Sequence, residues 1–437
     1  MKRNGPRLQS RSDRAVILVL VLWIVVILSL MAYSMLYQVS SETSITSARK
    51  KQLQAEALAR AGIAKAVVDL RNDLLFDNVE GEKNFDGEGD IWARSEEGKL
   101  DAQIGDDKSG TFSVKVYDED SLINLNRINA ANMILLQKII ERIGYTEEDA
   151  KVAAAAIVDW RDGDFVPVLP NAPSNDEGKA YAMVQAENER SRLNEDEIKP
   201  FIFRNEDYIS VDELLEVYGV TPELYFGPDS PEAAYFRAQM PDRFQYGDDH
   251  FTMEDAKRRR RRGRDEEPEP GLRDYLTIYG VGVLNINTAP AHVLAAFAEA
   301  AGNTDGDSWA ERVMRDRRGG KDENIDNDSA FKDGLSLQAN AEVQGVLAAG
   351  GALLQVGVNS STFRIVSEGT VGDVKVRIEA LAARALTPLT RDESFETIDR
   401  SEDRRKNEEG RWKRRENSND SAHVKYPFVR IVQVFQE

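Results

Sequence analysis

From Ala15 to Tyr37 the chain runs without a charge, a proline or a glycine. An α-helix over that run reaches roughly 34 Å at about 1.5 Å per residue, enough to cross the hydrocarbon core of a bilayer. The helical pattern continues beyond it. Leu53, Ala57, Ala61, Ala64 and Val68 recur every three or four residues, with Arg49, Lys50, Glu56, Arg60 and Lys65 on other faces. This periodicity predicts an amphipathic extension to about Leu75, so that one helix lies half in lipid and half against a soluble domain. Gly62, which costs about 1 kcal/mol relative to Ala in a helix interior, marks a close approach or a bend.

Strict alternation appears first in "TFSVKVYDED" and returns only near the end, in "STFRIVSEGT", "DVKVRIEALAAR" and "YPFVRIVQVFQE". Half-buried strands read this way. Four strands separated by a long Ala-rich, helical stretch predict one sheet interrupted by an insertion. Inside the insertion is an internal echo: "LINLNRINAANMILLQKI" and "VLNINTAPAHVLAAFAEA" both place Asn-apolar-Asn, at Asn124/Asn126 and Asn285/Asn287, before a Leu- and Ala-rich helix. Asn in such places caps helices and closes turns through its side chain. Thr146, with Asp149 three residues on, opens a second helix in capping-box style. Two helix-turn-helix units follow, and "YISVDELLEVYGVTPELY" reads as a further one. The boundaries read from this pattern are a basic leader over 1–15, the helix over 16–76 with its membrane part at about 16–37, a sheet-bearing domain over 77–121 and 355–437, and an inserted helical domain over 122–354. Two charged stretches, about 241–272 with its Arg258–Arg264 run and the polar segment after Thr390, read as solvated loops.

Charge adds orientation and removes chemistry. Lys2, Arg3, Arg7, Arg11 and Arg14 precede the apolar run against a single Asp13, whereas Glu42 is the first charge after it. The positive-inside rule therefore places the N-terminus in the cytoplasm and the bulk of the chain outside. A cleaved secretory signal has a shorter apolar core and a small-x-small site, which Met31 to Gln38 do not supply. The formal net charge of −19 over 437 residues makes nucleic acid a poor partner. The absence of cysteine removes disulfides and thiolate chemistry. His250, His292 and His423 stand far apart, leaving little for a zinc site or a Ser-His-Asp triad. The expectation is a protein that is not an enzyme.

In order along the chain, "AVILVLVLW", "AEALARAGIAKAV", "LINLNRINAANM", "AIVDWRDGD", "SVDELLEVYGVTPELY", "YGVGVLNINTAPAHVLAAF" and "STFRIVSEGTVGDVKVRIEALAAR" resemble the type II secretion minor pseudopilin K family, also called general secretion pathway protein K. The resemblance implies an α+β, pilin-like fold: a long N-terminal transmembrane helix packed on a small antiparallel sheet, with a large inserted all-α domain. It implies cleavage and N-terminal methylation by prepilin peptidase between Ala15 and Val16, although the family has Gly where this chain has Ala15. Most pseudopilins carry Glu at the fifth mature position, where it neutralises a neighbour's N-terminal amine. Here the position is Leu20, as the resemblance to the K component implies. A carboxylate in the bilayer costs several kcal/mol without a partner, so Leu20 suits a subunit with nothing above it. The resemblance thus implies a tip that primes or caps a pseudopilus for export of folded proteins. Its partners are then other minor pseudopilins, the inner-membrane secretion platform, prepilin peptidase and membrane lipid, with the C-terminal domain in the periplasm.

"DWRDGDFVPVLPNAPSNDEGKAY" gathers Asp159, Asp162 and Asp164, then Asn175, Asp176 and Glu177. Hard oxygens from a short loop plus a distant carboxylate suit Ca²⁺, which takes about six to eight oxygen ligands. By resemblance to a family with calcium sites, Asp162, Asp164 and Glu177 are the ligand candidates, with Asp159 capping or orienting. The other reading is a polar loop whose acids bond backbone amides. "DENIDNDSAFKD" spaces Asp322, Asn324, Asp326 and Asp328 like an EF-hand loop, but Asn327 stands where that loop needs Gly and Asp333 where it needs Glu. The helix-turn-helix echoes also resemble helix-hairpin-helix modules that bind DNA backbone. An envelope protein with such a domain is the alternative, though the three acids in "RIGYTEEDA" would repel phosphate.

Overall fold

The computed structural model describes residues 11–80, 85–93, 96–98, 110–188, 200–239, 269–318, 330–332, 341–388 and 425–436. The leader before Arg11, the Arg258–Arg264 run, the acidic residues Asp322, Asn324, Asp326, Asp328 and Asp333, and the polar segment 389–424 lie outside these residues. The first helix, α1, is continuous over Arg11–Glu80. Its side chains from Val16 to Lys50 are exposed, and it is the one described helix long and apolar enough to cross a membrane, by length and composition.

The second half of α1 lies on a five-stranded antiparallel sheet. The strands are β1 (Glu96–Gly98), β2 (Thr111–Asp118), β7 (Thr362–Val371), β8 (Val374–Pro388) and β9 (Lys425–Gln436), in that spatial order; between β2 and β7 in the chain, β3 (Ile123–Asn124) pairs in parallel with β4 (Leu276–Thr277), and β5 (Val283–Asn285) with β6 (Gln355–Gly357). The four alternating segments become β2, β7, β8 and β9. The fifth strand, β1, has only three residues and no alternation to reveal it. The fold is thus α+β, with a long N-terminal helix on a small antiparallel sheet. The helix uses a different face from the one its periodicity suggests. Ala55, Leu58, Ala59, Ile63, Ala66 and Leu70 are buried against Phe112, Val114, Phe363, Ile365, Ile378 and Ala380, while Leu53, Ala57, Ala64 and Val68 are exposed. Both faces are Ala-rich, so hydropathy alone did not separate them; closeness of approach did. A Cβ on Gly62 would sit 2.2 Å from Ser367 Oγ, and one on Gly369 would sit 2.0 Å from the Ala55 carbonyl oxygen. Gly62 is therefore a site of close packing.

Between β2 and β7 the chain builds a second core that extends from Ile123 to Leu354. The echo is structural. Helices α2 (Ile134–Ile143) and α3 (Glu147–Asp159) form one unit, and the helices Ala291–Ala300 and Gly306–Arg317 form the other. In each, the first Asn accepts from the second: Asn124 Oδ1 from Asn126 N at 2.9 Å, Asn285 Oδ1 from Asn287 N at 3.0 Å. The second Asn then bonds both backbone groups of a distant residue, Tyr208 for Asn126 and Phe331 for Asn287. A side-chain amide thereby stands in for a strand neighbour in both copies. Thr146 caps α3 by accepting from Asp149 N. The third expected unit is shorter. Ser210 and Glu213 form a capping box on a 3₁₀ turn, Val211–Glu216, followed by a single turn, Pro222–Phe226. Gly219, at φ +80° and 3.3 Å by its virtual Cβ from Ala153, and Pro222 confine each piece to a turn.

The chain leaves the sheet at Asp118 and re-enters it at Thr362, and three consecutive buried acids hold the crossing. Asp118 accepts from Ser360 Oγ and Thr288 Oγ1, both at 2.5 Å. Glu119 takes Thr277 and Arg364. Asp120 accepts from the Ser361 and Thr362 amides. Burial pushes the Asp118 carboxyl up to about 7, against the lowering effect of its hydroxyl donors.

Candidate metal centre

Helix α3 ends at Asp159, which is fully buried, and α4 (Glu177–Asn188) begins at Glu177, which is 2 % exposed. The loop between them turns back so that a ligand atom from each of Asp159, Asp162 and Glu177 lies within 4.8 Å of the others. Local bonds set this geometry. Asp159 accepts from Val168 N at 2.9 Å and from the Tyr181 hydroxyl at 2.6 Å, tying the loop to α4. Glu177 N donates to the Phe165 carbonyl, and Asp176 Oδ1 accepts from Lys179 N in the first turn of α4.

Asp162 and Glu177 are therefore brought together. Asp164 lies outside this trio: it is exposed, and its Oδ1 accepts from Val166 N at 2.8 Å, closing its own turn. Asp159 takes the third position. Asp159 and Asp164 bond backbone amides, as the polar-loop reading expects, while one oxygen each of Asp162 and Glu177 is buried.

Asn205, 40-odd residues further along, was not a candidate from the sequence. It sits at φ +56°, donates its backbone N–H to the Trp160 carbonyl at 2.9 Å and its side-chain amide to the Asp164 carbonyl at 2.8 Å. Its only sequence signal is an Asn in the polar "FRNEDY", a residue tolerant of left-handed backbone.

Three oxygens here are buried without a hydrogen-bond donor: Asp162 Oδ1, Glu177 Oε1 and Asn205 Oδ1. Burying an acceptor in this way costs about 1–3 kcal/mol, and more for a charged group. Burial, followed by repulsion from Asp159, Asp162 and Asp164, raises the Glu177 carboxyl to about 8. Burial and Asp164 raise Asp162 to about 6, and burial first of all raises Asp159 to about 6. A set of hard, uncompensated oxygens with mutual repulsion fits a hard divalent cation, Ca²⁺ before Zn²⁺, since neither Cys nor His takes part.

A second acid trio, Asp73, Asp86 and Asp90, shows the same proximity, but a protein cation fills it. Arg384 donates to Asp73 at 2.9 Å and pairs with Asp86.

No family model matches the chain, and no curated protein matches it. Among solved structures it is similar to the GspK–GspI–GspJ complex of the type 2 secretion system of enterotoxigenic Escherichia coli, with a TM-score of 0.47 and 14% identity over 78% of this chain and 94% of that chain.

Proposed function

We propose that this chain is a non-enzymatic minor pseudopilin of a type II secretion system, anchored once in the inner membrane with its head in the periplasm, where it primes or caps the pseudopilus tip. The observation that carries this reading is the single unbroken helix Arg11–Glu80, whose first half is exposed and apolar and whose second half is the packing partner of the sheet. A helix shared between membrane and head can be drawn from the bilayer into a fibre without refolding the head. Leu20, in place of an acid, leaves no carboxylate to neutralise a subunit above. The inserted unit supplies bulk, and other minor pseudopilins are the partners. In this reading Asp159, Asp162, Glu177 and Asn205 hold a structural Ca²⁺, which would relieve their repulsion and fix the loop between α3 and α4.

Expression with and without prepilin peptidase, followed by intact mass and N-terminal sequencing, tests the proposal. A chain starting at Val16 with a methylated terminus is expected. An uncut chain beside a cut control pilin would mark a permanent signal anchor and overturn the pseudopilin assignment.

A further inference from the structure

Each of the two repeated units closes with an arginine. In the first, Arg161, just past α3, donates to the Ile128 carbonyl at 2.6 Å and to Asp207 at 3.2 Å. In the second, Arg317, at the end of helix Gly306–Arg317, donates to the Ala289 carbonyl at 2.7 Å and to the Ile286 carbonyl at 3.0 Å. Ile128 and Ala289 both stand four residues after the first Asn of their motif, Asn124 and Asn285, so the two arginines are equivalent. Their acids are not. Asp207 directly precedes Tyr208, the residue that Asn126 bonds, whereas Ala330 precedes Phe331, the residue that Asn287 bonds. Where the first unit has an acid, the second has Ala330, and Arg317 pairs instead with Glu88, from outside the inserted unit. Arg318 joins the same carboxylate at 2.8 Å.

Glu88 lies in the segment 85–93, which follows α1 in the chain. Two residues earlier, Asp86 is fastened where the chain passes between sheet and insertion. Its backbone N–H donates to the Val358 carbonyl at 2.8 Å, its carbonyl accepts from Asn285 Nδ2 at 3.3 Å, and its Oδ2 accepts from the Ser360 amide at 2.7 Å. Arg384 of β8 grips its other oxygen. The two crossings, after Asp118 and before Thr362, are bonded to each other through Asp118 and Ser360 at 2.5 Å, which makes them one narrow neck. Thr288 and Thr277 of the inserted unit also bond Asp118 and Glu119, but those acids belong to the neck and turn with it. A tie beside the neck resists rotation about it. Glu88, up to about 7 Å further along the segment than Asp86, reaches the C-terminal end of helix Gly306–Arg317, where the Arg317 side chain is 3 % exposed.

We propose that Glu88 is a borrowed residue of the second unit and the latch that fixes the orientation of the inserted unit on the sheet. The segment 85–93, held to β8 through Asp86 and Arg384, carries its carboxylate into the place that Asp207 fills in the first unit. Sheet, α1 and insertion then turn as one body. The latch stands independently of the pseudopilin reading.

The full chain, which has no cysteine of its own, takes pairs of spin labels in mild detergent at exposed positions. Lys115→Cys on β2 with Glu311→Cys spans the joint; Lys151→Cys on α3 with Glu311→Cys lies within the inserted unit. Pulsed dipolar spectroscopy is expected to give a narrow distance for both pairs in the parent. Glu88→Ala should broaden and shift the distance across the joint, leave the internal distance unchanged and lower the melting temperature. Adding Ala330→Asp gives Arg317 an acid from its own unit, so the melting temperature should recover while the distance across the joint stays broad. A cross-joint distance as narrow in Glu88→Ala as in the parent would overturn the latch, and so would broadening of both pairs, which would place the loosening inside the inserted unit. A narrow cross-joint distance regained with Ala330→Asp would mean that orientation follows from a paired arginine and needs no strap. A melting temperature that Ala330→Asp fails to raise would overturn the equivalence of Glu88 with Asp207.

Discussion

Asp73, Asp86 and Asp90 beside the sheet and Asp159, Asp162 and Glu177 in the inserted unit are alike in kind and spacing, yet their charge is answered differently. In the first trio Arg384, 5 % exposed and stacked over Phe363, supplies the cation from the chain itself. In the second, no Lys or Arg bonds the inward oxygens of Asp162 and Glu177. Covalent attachment is the difference. An arginine on β8 supplies its acids with a cation that cannot dissociate, whereas the proposed ion at the second trio would make its loop responsive to ion concentration.

The largest effect is expected at the built-in cation. Arg384→Met leaves Asp73 and Asp86 buried without a partner and should cost about 3–5 kcal/mol in a denaturant titration in mild detergent, with no recovery on adding Ca²⁺. Recovery would mean that the two trios are interchangeable.

At the other trio, a Ca²⁺ concentration of about 100-fold over its dissociation constant should stabilise the parent by about 2.7 kcal/mol, read as a rise in melting temperature. Glu177→Gln should invert the order. It removes one of the repelling charges, so at pH 8 without Ca²⁺ it should melt above the parent, and with Ca²⁺ below it. A parallel response of parent and variant would exclude Glu177 as a ligand.

The crossing between the two units offers a proton-linked contrast. Because the folded Asp118 carboxyl lies at about 7 and the unfolded one near 3.8, the folded state holds more protons between those values. Its contribution to stability is then largest below pH 4 and is lost as pH rises through 7. Asp118→Asn should flatten the fall in melting temperature between pH 5 and 8; an unchanged slope would place the linkage elsewhere. The smallest effect is expected for Asn205→Ala, which should weaken Ca²⁺ binding about tenfold by isothermal calorimetry, without abolishing it.

Parts of this were legible in the chain. The unbroken apolar run, the alternation of four strands and the paired Asn motifs are local patterns, and local patterns translate directly into a spanning helix, a split sheet and a repeated turn. Of the three acids named by resemblance, the structure brings Asp162 and Glu177 together, while Asp164 closes its own turn and Asp159 takes its place. What stayed hidden depended on distance through space. Strand β1 has no periodicity of its own and exists because β2 offers an edge. Asn205 meets this loop only through space, its side-chain amide donating to the Asp164 carbonyl and its backbone N–H to the Trp160 carbonyl. The buried face of α1 was chosen by Gly62 and Gly369, which allow close contact with the sheet, since Ala-rich stripes on both faces are nearly equal in hydrophobicity. Sequence periodicity determined which segments fold and how the chain meets a membrane; packing decided which faces, and which charges, meet one another.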